Sequence, residues 1–545
     1  MTVCRTAFSL VIAEAQDFAC ELLDKDGETL AHSPRAMPVF NLTLPRAVKA
    51  LLRAYPAETL RPGDVLITND PWLCAGHLFD IAIVTPAFRD GRLVGLMGTV
   101  GHVSDIGGTK DSLHAREIYE EGLQIPPMKL FDAGRPNETL IQLIRQNVRN
   151  GDQVLGDIFS FVAANKLGAE RLDAFMADYG MHDLGALAEV VQGLSEKAMR
   201  DAVRAIPDGE YRSTITNNPL GEKISYPVLV KVEGDAITVD FDGAPPQLPQ
   251  GGLNSTLNYT AAHATYPLKC MLTPSVRGNA GCYRPFTVKA PEGSILNPTY
   301  PAAVNLRTRT GWYLAPNIFA ALSGAAADKV QSFTGLAVAA NIYGKDDQGT
   351  FYSDMLFVGG GQGGAARKDG HSSLLWPTSA ANTSIELMES RVPVLVLEKS
   401  FLADSGGAGK QRGGLGQIVR FRKREDDGHE MLVSVYPEGV DNPIPGLFGG
   451  HPGGGARGLV QGTDGRLLRD CGTGALVSLK STGEIVELVL GGGAGFGDPA
   501  ERSADAVARD LALGFITPEH AAQFYRQPTV PSGTEAEKQP SQAWA

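Results

Sequence analysis

Several features that would define a protein class are missing from this sequence. Its six cysteines are scattered over 545 residues, and no two form a Cys-x-x-Cys pair, which argues against a zinc ribbon or a disulfide framework. No apolar run approaches the roughly 18 residues that a membrane-spanning helix needs. The formal net charge of −12 argues against nucleic-acid binding, which requires a basic surface. We therefore expect neither a membrane nor a nucleic acid as a partner.

The N-terminus also lacks the basic and apolar regions of a secretory signal. Together with the scattered cysteines, this predicts a reduced, cytoplasmic setting. A composition of 43% hydrophobic and 20% charged residues is that of an ordinary globular protein. The length allows roughly two to four domains.

Glycine, in contrast, is abundant. The chain has 64 glycines, well above the average of about 7%, and they cluster at 359–364, 406–416, 449–458 and 491–497. Such density predicts tight turns and close backbone approaches in a strand-rich structure. Residues 406–411 superficially resemble a phosphate-binding loop. Asp404 stands where the first glycine belongs and Gln411 where serine or threonine belongs, so turn formation is the better interpretation.

The hydrophobic period divides the chain into unlike parts, which predicts a mixed α+β fold. Helical spacing dominates the first 205 residues, in the segments 44–55, 138–150, 154–179 and 184–206. From Tyr211 the period becomes two, with a hairpin expected over 228–241. A helix is predicted at 257–272, short strands at 285–400, glycine-punctuated strands at 401–497 and closing helices at 504–513 and 518–525.

These patterns predict a strand-rich, multi-layer architecture whose helices are concentrated in the N-terminal third. We expect a mixed α/β region that carries the functional site, a strand-rich middle region, a glycine-rich β region with closing helices, and a disordered tail rich in proline and polar residues. The corresponding residues are 1–205, 206–400, 401–525 and 526–545.

The most informative segment is residues 69–80, Asn-Asp-Pro-Trp-Leu-Cys-Ala-Gly-His-Leu-Phe-Asp. It places the imidazole of His77 three residues before the carboxylate of Asp80, at the start of an apolar run. A second histidine, His102, follows a second apolar run. Between the two runs lies Asp90-Gly91, a strong signal for a two-residue hairpin turn.

A simple hairpin would not bring these side chains together. With a two-residue turn at Asp90-Gly91, Asp80 faces Gly101, and strict alternation puts Asp80 and His102 on opposite faces of the sheet. A β-bulge, or an irregular entrance through Gly76, is needed for them to converge.

On spacing alone, two interpretations of this segment stay open. His77, Asp80 and His102 can form a metal site. Alternatively, histidine and aspartate at the start of a strand often only satisfy backbone groups at a turn.

Several motifs in order resemble the hydantoinase B/oxoprolinase family. This family includes B subunits of ATP-dependent N-methylhydantoinases, the matching half of 5-oxoprolinases, and large subunits of acetone- and acetophenone-type carboxylases. The matching segments are 14–20, 69–80, 120–127, 147–149, 156–157, 240–243, 291–294, 404–416 and 491–499. The sequence departs from the family pattern at 74–76 (Cys-Ala-Gly for Gly-Gly-Thr), at Phe79 (for proline) and at Phe40 (for a frequent histidine).

The ends of the chain also depart from the pattern. Relatives usually carry a further helix before the segment that begins here at Met1, and a glycine-tyrosine-valine ending is missing after Tyr525. A longer native N-terminus is therefore expected.

The resemblance implies a divalent metal held by His77, Asp80 and His102, with Glu14 as the fourth ligand. Imidazole and carboxylate ligands suit manganese, zinc or iron. Asp105 is the candidate catalytic group, either orienting His102 or transferring protons; the alternative is an aspartate that caps a turn. Cys74 is either a soft ligand or buried packing.

The resemblance also implies a hetero-oligomer in which ATP is used by a partner, a hydantoinase A-type subunit. That subunit would phosphorylate a small cyclic amide, and this chain would hydrolyse the phosphorylated intermediate. The first alternative is the large subunit of an ATP-dependent ketone carboxylase, and the second is a non-catalytic scaffold subunit. Arg307, Arg309 and Arg412 are candidate anion contacts, although a salt bridge is the more common role for each.

Overall fold

The computed structural model describes residues 1–34, 36–109, 112–221, 223–440 and 443–525. The tail predicted to be disordered, residues 526–545, lies outside this part. Within the described residues, the helices are α1 Thr2–Thr6, α2 Leu10–Ala13, α3 Pro38–Ala54, α4 Ile118–Glu121, α5 Glu138–Asn147, α6 Gly151–Asp178, α7 Gly185–Val203, α8 Leu257–Leu272, α9 Thr308–Gly311, α10 Leu314–Leu322, α11 Ile385–Arg391, α12 Ala504–Ala512 and α13 Pro518–Phe524.

The strands in the described ranges form four sheets. In chain order they are β1 Phe18–Leu23, β2 Thr29–His32, β3 Val65–Thr68, β4 Asp80–Arg89, β5 Arg92–His102, β6 Met128–Asp132, β7 Arg135–Pro136, β8 Gly209–Asn217, β9 Ile224–Glu233, β10 Ala236–Asp240, β11 Phe286–Lys289, β12 Val338–Lys345, β13 Phe351–Val358, β14 Val394–Phe401, β15 Gln417–Lys423, β16 Met431–Val435, β17 Arg457–Gly462, β18 Leu467–Asp470, β19 Ala475–Leu479 and β20 Glu484–Val489.

The largest sheet has seven strands in the order β2-β1-β5-β4-β3-β6-β7. The others have the orders β11-β10-β9-β8, β13-β12-β16-β19 and β14-β15-β20-β17-β18. The predicted mixed α+β fold is thus confirmed, and its longest helices, α6 and α7, lie in the N-terminal part as expected. No helix in the described ranges is both long and apolar enough to cross a membrane.

Two helices cover the faces of the seven-stranded sheet at its central hairpin. A Cβ built on Gly98 would lie 3.0 Å from Leu44 of α3, and one built on Gly101 would lie 2.6 Å from Phe161 of α6. The helices therefore approach the strands closely at both positions, and a larger residue would displace the Leu44 or Phe161 side chain. The even-numbered residues of this part of β5, which include His102, face α3.

The hairpin itself contains the bulge that the sequence requires. Asp90 and Gly91 form the turn with positive φ angles of 48° and 75°, and Arg89 pairs with Arg92. The register then shifts, because Phe88 pairs with Leu93 but Ala87 pairs with Gly95. Val94 is therefore the extra residue.

The consequence of the bulge lies at the other end of the hairpin, where Asp80 pairs directly with His102. The simple register, with Asp80 opposite Gly101, is wrong by one residue. Both side chains consequently point to the same face of the sheet, toward α3.

The glycine clusters lie mainly between strands, as glycine-punctuated strands over 401–497 would have them, and Gly458 lies within β17. Their backbones bond one another: Gly361 N donates to Gly491 O over 3.0 Å, Gly493 N to Gly414 O over 2.9 Å, and Gly407 N to Gly493 O over 2.8 Å. A Cβ on Gly413 would lie 1.8 Å from the Gly493 carbonyl oxygen. Only glycine permits such close contact between chain segments.

Three short helices, α9, α10 and α11, lie in the region predicted to contain only short strands. Eight of the nine residues of α10, Leu-Ala-Pro-Asn-Ile-Phe-Ala-Ala-Leu, are buried, so no polar face reveals a helical period. The main hydrophobic core contains residues from Val3 to Ala380 together with Phe496, on both sides of residue 205. The division into four regions stays a prediction.

Candidate functional site

The segment 69–79 is a turn-rich loop held by Asn69. The Asn69 side chain donates to the carbonyls of Leu78 (2.7 Å) and Leu123 (2.9 Å) and accepts from the Ile125 amide (2.6 Å). Gly76 has a φ of +87°, and a Cβ there would lie 2.9 Å from Cβ of Tyr259. The loop thus needs glycine at this point, and it delivers His77 to the start of β4.

Three side chains meet where β4 begins and β5 ends. His77 Nε2 lies 2.8 Å from Asp80 Oδ1, and His102 Nδ1 lies 3.2 Å from the same oxygen. One ligand atom from each residue lies within 4.8 Å of the others, and all three side chains are buried. The structure therefore brings together three of the four predicted metal ligands.

Two further residues fix this triad. Arg307 Nη2 donates to Asp80 Oδ2 over 2.6 Å, and its Nε donates to the Ala75 carbonyl over 3.0 Å. Asn305 Oδ1 lies 3.0 Å from His77 Nδ1. The contact with Asn305 leaves His77 Nε2 as the atom directed at Asp80.

The charge states of the triad suit a cation. Burial, assisted by Arg307, lowers the pKa of His77 to about 4, so its imidazole is neutral at pH 7. Burial alone would raise the pKa of Asp80, but the neighbouring His77 and Arg307 outweigh burial and hold this pKa well below its usual range. A neutral imidazole and an ionised carboxylate are the forms that bind metals.

Two buried nitrogen atoms indicate whether the triad is suited to bind a metal. Among the described residues, Nε2 of His77 and Nε2 of His102 have no hydrogen-bond partner. The 2.8 Å approach of His77 Nε2 to Asp80 therefore lacks hydrogen-bond geometry. Buried polar atoms are seldom left unpartnered, and a metal held by His77, Asp80 and His102 would give both nitrogens a partner. The donor set fits manganese, zinc or iron.

A further carboxylate, Asp17, lies at the site. Asp17 is buried, its Oδ1 has no hydrogen-bond partner in the described part of the chain, and its backbone carbonyl accepts from the His102 amide over 3.0 Å. Burial raises the pKa of Asp17 to about 7, while His102 opposes the shift. Asp17 is therefore a buried carboxylate beside the triad, although it is not part of the group whose ligand atoms lie within 4.8 Å of one another.

The other sequence-predicted residues are placed differently. Glu14 is exposed at the end of α2 and is not part of the triad. Asp105 is buried but does not line the cavity at the triad; it accepts from Arg149 Nη1 (2.8 Å) and from the Arg149 amide (2.5 Å). Cys74 is buried, and burial raises the pKa of its thiol, which disfavours the thiolate that metals bind.

The triad opens onto a cavity of about 130 Å³. The cavity lies between the hairpin, the N-terminal end of α3, α8 and β13, and its lining is mixed. Asp17, Asn305, Arg307 and His263 contribute polar groups. Phe79, whose ring stacks on that of His102 with centroids 5.1 Å apart, contributes to the apolar wall.

The candidate anion contacts are engaged within the protein. Arg309 pairs with Glu438 in the interior and donates to the Thr473 carbonyl over 2.7 Å. Arg412 pairs with Asp510 over 3.2 Å, away from the cavity. Of the three arginines, only Arg307 touches the triad.

Comparison with known proteins agrees with the resemblance seen in the sequence motifs. The chain is 30% identical over 558 residues to the B component of a putative D-/L-hydantoinase from Pseudomonas sp. (strain NS671), covering 96% of this chain and 90% of the relative. It is also 30% identical over 553 residues to the beta chain of caprolactamase from Pseudomonas jessenii, covering 96% and 92%.

Two solved structures share the fold. ATP-dependent caprolactamase from Pseudomonas jessenii superposes with a TM-score of 0.87 at 27% identity, over 95% of this chain and 92% of that one. A nucleotide-free acetone carboxylase superposes with a TM-score of 0.83 over 96% and 76%, but its 19% identity supports the fold alone. The family pattern named hydantoinase B/oxoprolinase matches residues 1–499, and the chain therefore belongs to the hydantoinase B/oxoprolinase family.

Proposed function

We propose that the chain is the metal-dependent catalytic subunit of a two-component, ATP-dependent cyclic-amide hydrolase. The observation that carries the proposal is the buried triad of His77, Asp80 and His102, in which two imidazole Nε2 atoms lack partners at the wall of a cavity. The similarity to the beta chain of caprolactamase over 96% of the present chain supports a cyclic amide as the substrate.

A partner subunit supplies what this chain lacks. The sequence shows no phosphate-binding loop, so the hydantoinase A-type partner would use ATP to phosphorylate the amide oxygen. Two relatives are themselves named as single components, B or beta, of larger enzymes, which supports such a division of labour. Phosphorylation removes amide resonance and creates a good leaving group. The net reaction consumes one cyclic amide, one ATP and two water molecules, and gives the ring-opened carboxylic acid, ADP and phosphate.

The chain's own residues prepare the site for the hydrolytic step. His77, Asp80 and His102, with Asp17 as a fourth ligand in place of Glu14, would hold manganese, zinc or iron. When bound, the metal acts as a Lewis acid on the substrate and activates water. Arg307 keeps Asp80 ionised, Asn305 orients His77, and Phe79 excludes bulk water from the triad. Asp105 stabilises the loop after β5 through Arg149.

Two other functions fit parts of the same observations. A ketone carboxylase would use the same triad on an enol phosphate, and the shared fold with acetone carboxylase is compatible with that chemistry. A scaffold subunit would dock onto the ATP-using subunit without chemistry of its own, but that role does not require unpartnered imidazole nitrogens.

The test is reconstitution of the two-component complex. The chain is co-expressed with the A-type subunit from its own genome, purified, and supplied with ATP and N-methylhydantoin, 5-oxoproline, 2-pyrrolidinone or ε-caprolactam. We expect ring-opened product and ADP in equal amounts for at least one substrate. The same assays with and without bicarbonate separate hydrolysis from carboxylation, since strict dependence on bicarbonate rejects hydrolysis.

Variants then connect the activity to the triad. His77→Ala and His102→Ala should abolish ring opening and reduce the bound metal measured by elemental analysis, while the partner stays associated. A matched control is His114→Ala, a histidine outside the cavity. Full activity in the double variant His77→Ala His102→Ala would refute the catalytic-metal function.

A further inference from the structure

A cleft separate from the catalytic cavity lies between α3, α8, β2 and β11. Its volume of about 330 Å³ is within the range of small-molecule sites, roughly 300–1,000 Å³. The helices α3 and α8 contribute Phe40 and Tyr259 to the catalytic cavity, but Asn41 and Ala262 to this cleft. No described residue lines both, so the cleft is a second site that the hydrolytic chemistry does not use.

The lining of the cleft is positively charged, although the whole chain has a net charge of −12. Among the described lining residues, Arg46, Lys49 and Arg284 are cations and Glu28 is an acid. Glu28 Oε1 accepts from Lys49 Nζ over 2.5 Å, and Arg284 pairs with Glu196 over 3.0 Å. Two of the three cations are therefore already matched with a carboxylate.

Arg46 is the cation that is left over. Its Nη1 donates to the neutral amide oxygen of Asn258 over 2.8 Å, and it forms no ion pair with any described residue. A guanidinium has five N–H donors, and it binds carboxylates through two parallel hydrogen bonds. The cleft thus has room for one negative charge, carried by a group that Arg46 can bind.

A polar group of the opposite kind is left over at Asn41. This side chain lines the cleft and is only 7% exposed, yet its Oδ1 has no hydrogen-bond partner in the described part of the chain. Buried oxygens are seldom left unpartnered, so a ligand that donates an N–H would complete this site. Asn41 and Arg46 lie more than one turn apart on α3, and the two ligand groups consequently belong at opposite ends of the ligand.

The N–H donor should be neutral, because a second positive charge would cancel the anion that Arg46 calls for. The rest of the ligand meets an apolar wall. Several wall residues are only partly buried by the protein, so an aliphatic group placed on them would remove more apolar surface from water. These residues are Leu42, Tyr283, Phe286 and Val288.

We propose that the cleft binds an N-carbamoyl amino acid with an aliphatic side chain. Its carboxylate lies at Arg46, its terminal ureido NH₂ donates to Asn41 Oδ1, and its side chain packs on the apolar wall. This inference rests on the proposed function and deepens it, because opening a hydantoin ring by hydrolysis releases a compound of this class. The cleft is then a site for the product outside the catalytic cavity, and α3 and α8 form walls of both.

The test compares two ligands of nearly the same shape. N-carbamoyl-leucine and N-acetyl-leucine differ only in the terminal group, which is NH₂ in the first and CH₃ in the second. Isothermal titration calorimetry with the full chain should show N-carbamoyl-leucine binding at least about tenfold more tightly. In Asn41→Leu the two ligands should bind equally. Equal affinities for the wild type would overturn the inference, as would tighter binding of inorganic phosphate than of N-carbamoyl-leucine.

A second pair of variants tests the anion site. Arg46→Met removes the guanidinium from an exposed position and should weaken both ligands by at least about tenfold. The matched control is Arg53→Met, at another exposed arginine of α3 that does not line the cleft, and it should bind as the wild type does. Unchanged affinity in Arg46→Met would refute the site, whether or not Asn41→Leu folds.

The catalytic cavity could also hold the product, and the triad variant separates the two places. His77→Ala His102→Ala should keep the wild-type affinity for N-carbamoyl-leucine, and loss of binding would place the ligand in the catalytic cavity and reject the cleft. The outcome for the proposed function is separate. A complex that opens no cyclic amide rejects the hydrolase even if the ligand binds, whereas ring opening without binding in the cleft rejects this inference alone.

Discussion

Asn305 Oδ1 lies 3.0 Å from His77 Nδ1, and this contact sets the tautomer of the histidine. The Asn305 amide has this orientation because its Nδ2 donates to Ser112 Oγ over 3.0 Å. Oδ1 is therefore the atom that faces His77, and Nδ1 of His77 must donate the proton. Nε2 is left with a lone pair, which a metal requires.

Replacing Asn305 with leucine should weaken metal binding without removing any ligand. The volume is similar, but His77 loses the acceptor that fixes its tautomer and ring orientation. We expect metal affinity to fall by about 10- to 100-fold, measured by competition with a chelator of known affinity.

The matched control for that change is Asn341→Leu, the same substitution at another asparagine of the cavity lining. The metal affinity of the Asn341→Leu variant should equal that of the wild type. An unchanged affinity in Asn305→Leu would show that Asn305 does not orient His77.

A second prediction concerns Asp105, whose two oxygens accept from the side chain and the backbone of Arg149. If this pairing is structural, Asp105→Asn and Arg149→Met should each lower the free energy of unfolding, by about 1–3 kcal/mol. The double variant should lose less than the sum, because both changes break one interaction. Urea unfolding of the four proteins measures this coupling. If Asp105→Asn instead has wild-type stability but no ring-opening activity, the result would support proton transfer as the role of Asp105.

Much of the architecture was accessible from periodicity and turn chemistry. The helix predicted at 257–272 matches α8 at both ends, and Asp90-Gly91 forms the predicted turn. The register of the hairpin was not accessible, since no residue type marks Val94 as a bulge. The convergence of Asp80 and His102 did require one, so the sequence indicated that an irregularity existed without locating it.

The candidate site was predictable only where its residues lie close in sequence. His77, Asp80 and His102 belong to one hairpin, so local spacing could relate them. Arg307 and Asn305 reach the triad from more than 200 positions away, and only tertiary packing brings them there. Glu14 was predicted as the fourth ligand and is exposed. Asp17, in the same motif, is buried and directly precedes β1, which pairs with β5 beside His102.

A third prediction uses the pH dependence of stability caused by Glu121. This carboxyl is buried and accepts from the amides of Val304 and Asn305, each over 2.9 Å. Burial raises its pKa from 4.5 to about 7, although these hydrogen bonds oppose the shift. Between these values the folded state binds more protons than the unfolded state, so the free energy of unfolding falls as pH rises through this window.

The Glu121→Gln variant should lack this contribution to the pH dependence of stability. Urea unfolding at a series of pH values from below 4.5 to above 7 should show a steeper decline for the wild type than for the variant, with parallel curves above the window. The exposed Glu425→Gln serves as the control and should follow the wild type. Parallel wild-type and Glu121→Gln curves throughout would mean that the pKa of Glu121 does not differ between the folded and the unfolded state.

The final prediction concerns the contact between glycine segments, at Gly492. A Cβ at this position would lie 1.7 Å from the Ser405 carbonyl oxygen, and the backbone cannot move aside because Gly492 N is bonded to Gly454 O over 3.0 Å. Gly492→Ala should therefore lower the free energy of unfolding by about 3 kcal/mol or more. The same substitution at Gly193, inside α7 with nothing within 4 Å of the added Cβ, should raise it by up to about 1 kcal/mol, because alanine favours helix. Denaturant unfolding measures the change in the free energy of unfolding for both variants. The two changes should have opposite signs if the glycine clusters are close-packed, whereas a small increase in both variants would show that the segments are loosely packed.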